Sequence, residues 1–236
     1  MKKLDLANYS GIIFDLDGVI FNIINAIRQA VEDAVTKYHI DVDIEDVLQE
    51  VAHLIEDLQH YPVPQIILKS YDLLKVNFLE GLTYFKKLRV GIYLFNQFNK
   101  YKEDATIYPG IDEIISSLSS QGKKLAVLTN NKDIHAKEVL EKHNLNRYFD
   151  NIIGFNEVSE VKPSPEGIQL ILSKWGIKPS KAIFIGDMVT DVQAGKAANV
   201  KMICMTSGLA SEEKIKEYNP NIILNETSQL KEVFGL

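Results

Sequence analysis

Residues 11–20 read Gly-Ile-Ile-Phe-Asp-Leu-Asp-Gly-Val-Ile, and this segment carries more information than any other in the chain. Ile12, Ile13 and Phe14 form a short apolar run of the kind that occupies a buried strand. Two carboxylates, Asp15 and Asp17, end the run, and Gly18 follows where the chain can turn tightly. Two acids in such a place repel one another and lose hydration, which costs free energy. The segment therefore predicts a site where a cation, a proton or a reaction offsets their charge, the alternative being a strand followed by an Asx turn.

Three more sets of polar residues occur later in the chain, each close after an apolar, strand-like run. Each set has an ordinary explanation on its own: a helix N-cap, a solvated lysine, or a turn before a helix. All four sets in this order, three of them at predicted strand ends, are hard to attribute to chance. The three later sets are Thr129-Asn130-Asn131, Val161-Lys162-Pro163-Ser164-Pro165 and Gly186-Asp187-Met188-Val189-Thr190-Asp191.

Strand-like runs alternate with helix-like segments from about residue 101 onward. One helix is predicted at residues 191–198, and Gly122 and Gly176 stand where two others should end. Regular alternation of this kind predicts an α/β fold with a Rossmann-like parallel sheet and helices on both of its faces. The chemistry of such sheets lies beyond the carboxyl ends of the strands, where three of the four polar sets fall.

Residues 22–103 show a different pattern, without a convincing strand. We therefore expect an all-helical domain inserted after the first strand, with residues 1–21 and 104–236 forming the α/β core. The aromatic residues of its last helix are predicted to pack inside this domain, because they recur at helical spacing. Apolar positions three and four apart predict four helices, with a proline break between the second and third, at residues 23–38, 44–58, 65–77 and 83–101.

Composition narrows the class of protein. With 46% hydrophobic and 25% charged residues, the 236-residue chain has ordinary globular usage and enough apolar surface for a core. A net charge of -6 does not favour nucleic acid or an anionic membrane as partner, since both require basic surface. Cys204 is the only cysteine, which excludes an internal disulfide, and the five histidines lack zinc-ligand spacing. Without a signal-peptide core or a run of about 18 apolar residues, we expect a cytoplasmic protein.

The four polar sets together resemble the motifs of the haloacid dehalogenase-like (HAD-like) hydrolases. The helical insert resembles the cap that many phosphatases of this family carry, in the phosphoglycolate phosphatase and β-phosphoglucomutase-like branch. Such a cap opens and closes over the site, which implies hinges near residues 21–25 and 101–106. The matching residues are Asp15-Leu16-Asp17-Gly18-Val19, Thr129-Asn130, Lys162-Pro163 and Gly186-Asp187 with Asp191.

The resemblance implies catalytic and substrate-binding roles. Asp15 would attack phosphorus and form an aspartyl-phosphate, and Asp17 would protonate the leaving oxygen and later deprotonate the attacking water. Lys162 would offset the charge shared by nucleophile and phosphate. The residues implied to bind the phosphoryl group are Thr129, Asn130 and Gly18.

The resemblance also implies a magnesium site. Mg²⁺ prefers oxygen ligands. The implied ligands are the Asp15 carboxylate, the Asp17 main-chain carbonyl and the Asp187 carboxylate. Asp191, one helical turn beyond Asp187, would orient a bound water or Lys162.

The function implied is that of a Mg²⁺-dependent phosphatase acting on a small phosphorylated metabolite, such as phosphoglycolate or a sugar phosphate. Dehalogenases of the family lack an aspartate at the position that Asp17 occupies here. The presence of Asp17 therefore favours a reaction at phosphorus over the removal of a halide. A phosphomutase of the β-phosphoglucomutase type is the alternative. A non-catalytic binding protein would be expected to have lost one of the acids or Lys162, all of which this chain keeps.

Overall fold

The computed structural model describes residues 3–48, 50–51, 77–208, 210 and 212–236. The chain divides into two compact units. The larger is Met1–Phe21 with Ile107–Leu236, and the smaller is Asn22–Thr106. In the described residues, no helix is both long and apolar enough to cross a membrane.

The smaller unit is helical over most of its described residues. Helix α1 spans Ile24–Tyr38, helix α2 spans Tyr84–Glu103, and residues 44–48 are also helical. The helix predicted at residues 65–77 lies outside the described residues except for its last position. The end of the helix predicted at residues 44–58 and the proline break also lie outside them.

The packing of α2 corrects one prediction. The Tyr101 hydroxyl donates to Asp33 on α1 at 2.5 Å, and Tyr93 packs edge-on against Tyr38. Phe85, however, is 74% exposed. Because each residue of a helix turns by about 100°, it falls on the side of α2 opposite the buried Val90. The prediction that all these aromatic residues pack inside the unit is therefore wrong for Phe85 and also for the exposed Tyr84 and Phe95.

The larger unit is built on a parallel sheet that has six strands in the described part of the chain. Their order is β3-β2-β1-β4-β5-β6, and every neighbouring pair is parallel. This confirms the predicted α/β class. The strands are β1 Gly11–Phe14, β2 Lys124–Leu128, β3 Asn151–Ile153, β4 Ala182–Gly186, β5 Lys201–Met205 and β6 Ile222–Leu224.

Six α-helices of the larger unit connect and follow these strands in the described residues. In α3, isoleucine and leucine residues at helical spacing form an apolar stripe that faces the core. Helix α5 ends at Trp175, and Gly176 directly after it adopts a left-handed conformation, as its position in the sequence predicts. The helices are α3 Ile111–Ser120, α4 Asp133–Lys142, α5 Glu166–Trp175, α6 Val189–Ala197, α7 Glu212–Glu217 and α8 Thr227–Phe234.

The register of the central strands determines where the polar residues meet. Phe14, the last residue of β1, pairs with Val127 of β2 and Ile185 of β4. The three strands therefore end at nearly the same level, and the residues that follow them emerge side by side. Strands β1 and β4 are buried along their whole length, which explains why the sequence there is continuously apolar rather than alternating.

Candidate active site

The carboxyl ends of β1, β2 and β4 surround a buried polar cluster. Asp15 follows β1, Thr129 follows β2 and Asp187 follows β4, as the strand pattern predicts. Lys162 enters from the loop that precedes α5, and Asp191 from the first turn of α6. In the described part of the chain, the four charged residues classed as buried all belong to this cluster: Asp15, Lys162, Asp187 and Asp191. Because burying charge is costly, their concentration in one place indicates function rather than packing.

Lys162 joins two of the acids. Its Nζ lies 2.9 Å from Asp15 Oδ1 and 2.7 Å from Asp191 Oδ1. Burial by itself lowers the pKa of the Lys162 ammonium, but the two carboxylates outweigh this effect and raise the pKa above its ordinary value. Lys162 therefore remains charged within the cluster.

Burial has the opposite effect on Asp15. It raises the pKa of the Asp15 carboxyl to about 7, with the neighbouring Asp191 adding to the increase and Lys162 opposing it. The Oδ1 atom of Asp15 also accepts the backbone N–H of Leu16 at 2.8 Å. The ammonium of Lys162 is thus insufficient to offset the effect of burial, and the pKa of Asp15 stays above its ordinary value.

Asp191 organises the start of α6. Its Oδ2 atom accepts the backbone N–H groups of Asp187 at 3.1 Å and Met188 at 3.0 Å. This explains why α6 begins at Val189, two residues before the predicted start: the Asp191 carboxylate accepts the N–H groups of the two residues that directly precede the helix. A Cβ atom at Gly186 would lie 2.6 Å from Asp191 Oδ2, so the position requires glycine.

The Asp187 carboxylate is confined by two glycines. A Cβ atom built at Gly18 or at Gly208 would lie 2.0 Å from Asp187 Oδ2, closer than real Cβ contacts come. Gly18 also has a φ of 83°, and its N–H donates to the Phe21 carbonyl oxygen at 2.9 Å. Gly18 therefore contributes a turn and space for Asp187.

Asn131 contacts Asp17, an interaction that the sequence pattern did not predict. The Asn131 side-chain amide donates to Asp17 Oδ2, and its backbone N–H donates to Thr129 Oγ1 at 3.1 Å. Asp17 itself is only half-buried. The sequence did place Asn131 in the polar set after β2, where a contact with Asp17 is possible. Nothing in that set indicated which of its two asparagines makes the contact.

Asn130 holds the backbone of the loop that carries Lys162. Its Oδ1 atom accepts the Lys162 N–H at 3.2 Å, and its Nδ2 atom donates to the Lys162 carbonyl oxygen at 3.3 Å. The side chain of Asn130 therefore fixes Lys162 relative to the end of β2.

Three carboxylates of the cluster are close enough to bind one metal ion. Oxygen atoms of Asp15, Asp187 and Asp191 lie within 4.8 Å of one another. The set differs from the predicted ligands by including Asp191, whose two oxygens already contact Lys162 and backbone N–H groups. Three buried carboxylates and one ammonium leave an excess of negative charge that a divalent cation would offset, so the donor set suits Mg²⁺.

The family model described as haloacid dehalogenase-like hydrolase matches residues 12–205, which include all four polar sets. The chain belongs to the haloacid dehalogenase-like hydrolase family. The resemblance drawn from the motifs is thereby confirmed.

The chain is also similar to known proteins and solved structures over nearly its whole length and theirs. A phosphoglycolate phosphatase from Haemophilus influenzae is 26% identical over 92% of this chain and 94% of its own. The crystal structure of a predicted phosphoglycolate phosphatase from Haemophilus somnus superposes with a TM-score of 0.72 at 22% identity, covering 96% of this chain and 98% of the other. A candidate β-phosphoglucomutase from Thermotoga maritima gives 0.67 at 20% identity, covering 95% and 100%. Because both solved structures are less than 25% identical to this chain, the comparison with them shows that they share its fold and no more.

Proposed function

We propose that this protein is a Mg²⁺-dependent phosphatase that hydrolyses the monoester of a small phosphorylated metabolite through an aspartyl-phosphate on Asp15. The observation that carries the proposal is the buried Asp15 carboxylate, paired with Lys162 at 2.9 Å and within 4.8 Å of oxygens of Asp187 and Asp191. A phosphomonoester dianion repels a carboxylate, so attack requires positive charge close to the nucleophile. Lys162 supplies part of that charge.

In the proposed reaction, Asp15 Oδ attacks phosphorus in line, and the bond from phosphorus to the ester oxygen breaks. Asp17 donates a proton to the leaving oxygen and then accepts one from the water that hydrolyses the aspartyl-phosphate. Asp15 and Asp187 would hold Mg²⁺ together with the Asp17 main-chain carbonyl. When bound there, the ion would offset the negative charge on the phosphoryl oxygens.

Thr129 and the backbone N–H of Asn130 remain the predicted phosphoryl-binding groups at the end of β2. Lys162 keeps its pair with Asp191 while it offsets charge at Asp15, so Asp191 orients the lysine rather than reacting. Gly18 supports binding through the space it leaves beside Asp187.

Removing the metal gives the direct test of the proposed function. We expect phosphate release from small monoesters in Mg²⁺ and its loss in EDTA, because Lys162 alone leaves the negative charge of the cluster uncompensated. Phosphoglycolate is the first ester to test, since a relative aligned along nearly the whole chain bears that substrate in its name. Sugar phosphates and p-nitrophenyl phosphate complete the panel.

Two outcomes would contradict the proposal. Release at an undiminished rate in EDTA would exclude a metal-dependent reaction. Conversion of a sugar phosphate to its isomer without phosphate release, dependent on a sugar bisphosphate, would indicate a phosphomutase instead.

Asn131→Ala tests the contact with Asp17. Asn131→Ala removes one of the contacts that orient the Asp17 carboxylate, and we expect turnover to fall about 10-fold to 100-fold, since misplacement of a reacting group has effects of this size. Steady-state phosphate release measures the change, with Asn156→Ala as a matched control that removes an asparagine bonded to Asp133 at the start of α4. Equal activity of the Asn131→Ala variant and the wild type would show that this contact does not matter.

A further inference from the structure

Tyr108 joins two segments of the larger unit that are distant in sequence. The side chain is buried, and its hydroxyl donates to the backbone carbonyl oxygen of Ser207, in the loop after β5, at 2.9 Å. Its backbone N–H donates to the carbonyl oxygen of Ile20, in the turn after β1, also at 2.9 Å. Neither bond involves a group that takes part in the proposed reaction.

Each of these two segments contains a glycine whose backbone lies close to the Asp187 side chain. Gly208 directly follows Ser207, and a Cβ atom there would lie 2.0 Å from Asp187 Oδ2 and 2.6 Å from Asp187 Cβ. Gly18 lies in the turn that contains Ile20 and makes an equally close approach. The Asp187 carboxylate is therefore held between two stretches of backbone that Tyr108 connects.

We propose that Tyr108 is a positioning residue for Asp187. Its hydroxyl bond to Ser207 keeps the Gly208 backbone against the Asp187 carboxylate and so preserves the orientation that places Asp187 oxygen within 4.8 Å of oxygen on Asp15. The inference rests on the proposed function in one respect, because it takes Asp187 as a ligand of the divalent cation. A ligand that is already oriented loses less conformational freedom on binding, which increases affinity.

The chemistry of Tyr108 suits a permanent donor. Burial, together with the Asp187 carboxylate nearby, raises the pKa of its hydroxyl above the ordinary value. The phenol therefore stays protonated at neutral pH and keeps its hydrogen bond to the Ser207 carbonyl.

The test measures the binding of Mn²⁺ to the full chain without substrate. The electron paramagnetic resonance signal of free Mn²⁺ gives the amount of the ion that remains unbound. Tyr108→Phe removes the hydroxyl and keeps the ring. We expect it to weaken Mn²⁺ binding roughly 10-fold, the lower end of what groups that orient a metal ligand contribute. Tyr148→Phe is the matched control, because it removes a partly exposed hydroxyl bonded to Arg147, and its Mn²⁺ affinity should equal that of the wild type.

Activity gives a second readout that a purely structural role would not change. In Tyr108→Phe, the Mg²⁺ concentration for half-maximal turnover should rise by the same factor, while turnover at saturating Mg²⁺ stays near the wild-type value. Gly208→Ala provides a second variant, since its Cβ would displace the Asp187 carboxylate, and we expect a larger loss of Mn²⁺ affinity.

Asp187→Asn separates this inference from the proposed function. If Asp187→Asn loses Mn²⁺ binding and Tyr108→Phe binds like the wild type, the positioning role alone is overturned. A lower melting temperature of Tyr108→Phe in EDTA with unchanged Mn²⁺ affinity would overturn it in the same way. If Asp187→Asn binds Mn²⁺ as tightly as the wild type, the metal site itself is wrong and both proposals fall.

Discussion

Asp15→Asn should abolish phosphate release. The substitution preserves the shape of the side chain and the acceptor for the Leu16 N–H and for Lys162, but an amide cannot form the acyl phosphate. We expect turnover to fall about 10⁴-fold or more, as when other covalent nucleophiles are removed. Rapid quenching followed by mass spectrometry of the intact protein should show a phosphorylated form for the wild type and none for Asp15→Asn.

The loss should not come from unfolding. Asp15→Asn removes one carboxylate from a cluster in which acids outnumber the single ammonium, so we expect no loss of stability in EDTA. Asp112→Asn, on the exposed surface of α3, is the matched control and should keep wild-type activity. Substantial turnover by folded Asp15→Asn would rule out Asp15 as the nucleophile.

Lys162→Met should damage both activity and stability. The loss of positive charge beside Asp15 should slow turnover about 10²-fold to 10³-fold, the usual cost of removing one preorganised electrostatic group. The variant also leaves Asp15 and Asp191 buried without their cation. In EDTA the free energy of unfolding should therefore fall by about 3 to 5 kcal/mol, as when one partner of a buried ion pair is removed.

Lys137→Met is the matched control for stability. Lys137 pairs with Asp133 at 2.6 Å, but its side chain is 42% exposed and solvent screens the pair, so we expect the free energy of unfolding to change much less than in Lys162→Met. Urea unfolding of both variants, with and without Mg²⁺, measures the difference. Mg²⁺ should restore part of the stability of Lys162→Met, since the ion would offset the same carboxylates. Equal effects of the two substitutions would contradict the importance of the buried pair.

The architecture of the larger unit could be predicted from local pattern. The apolar runs that became β1 and β4 are continuous because these strands are buried on both faces, and such runs separated by helical segments specify a parallel sheet. Parallel strands end at a common edge, so the polar residues after β1, β2 and β4 had to lie near one another. The assignment of residues 22–103 as a cap that closes over this edge remains a prediction.

The contacts within the cluster could not be predicted in the same way. Lys162 is 147 positions from Asp15 in the sequence, and it reaches the acid because Asn130 holds its loop and Asp191 shares its ammonium. The partner of Asp17 depends on which of two adjacent asparagines turns inward. The start of α6 depends on a carboxylate that caps the helix after the chain has folded.

The sequence by itself determined the α/β class, the family and the order of the residues at the strand ends, because strand and helix periodicity are local properties of the chain. Only the tertiary structure determined how the carboxylates are held. Gly208 lies beyond the residues that the family model matches, and nothing around it in the sequence points to Asp187. Its role follows from the pairing of β4 with β5 and from the Tyr108 hydrogen bond, which exist only after distant parts of the chain have packed together.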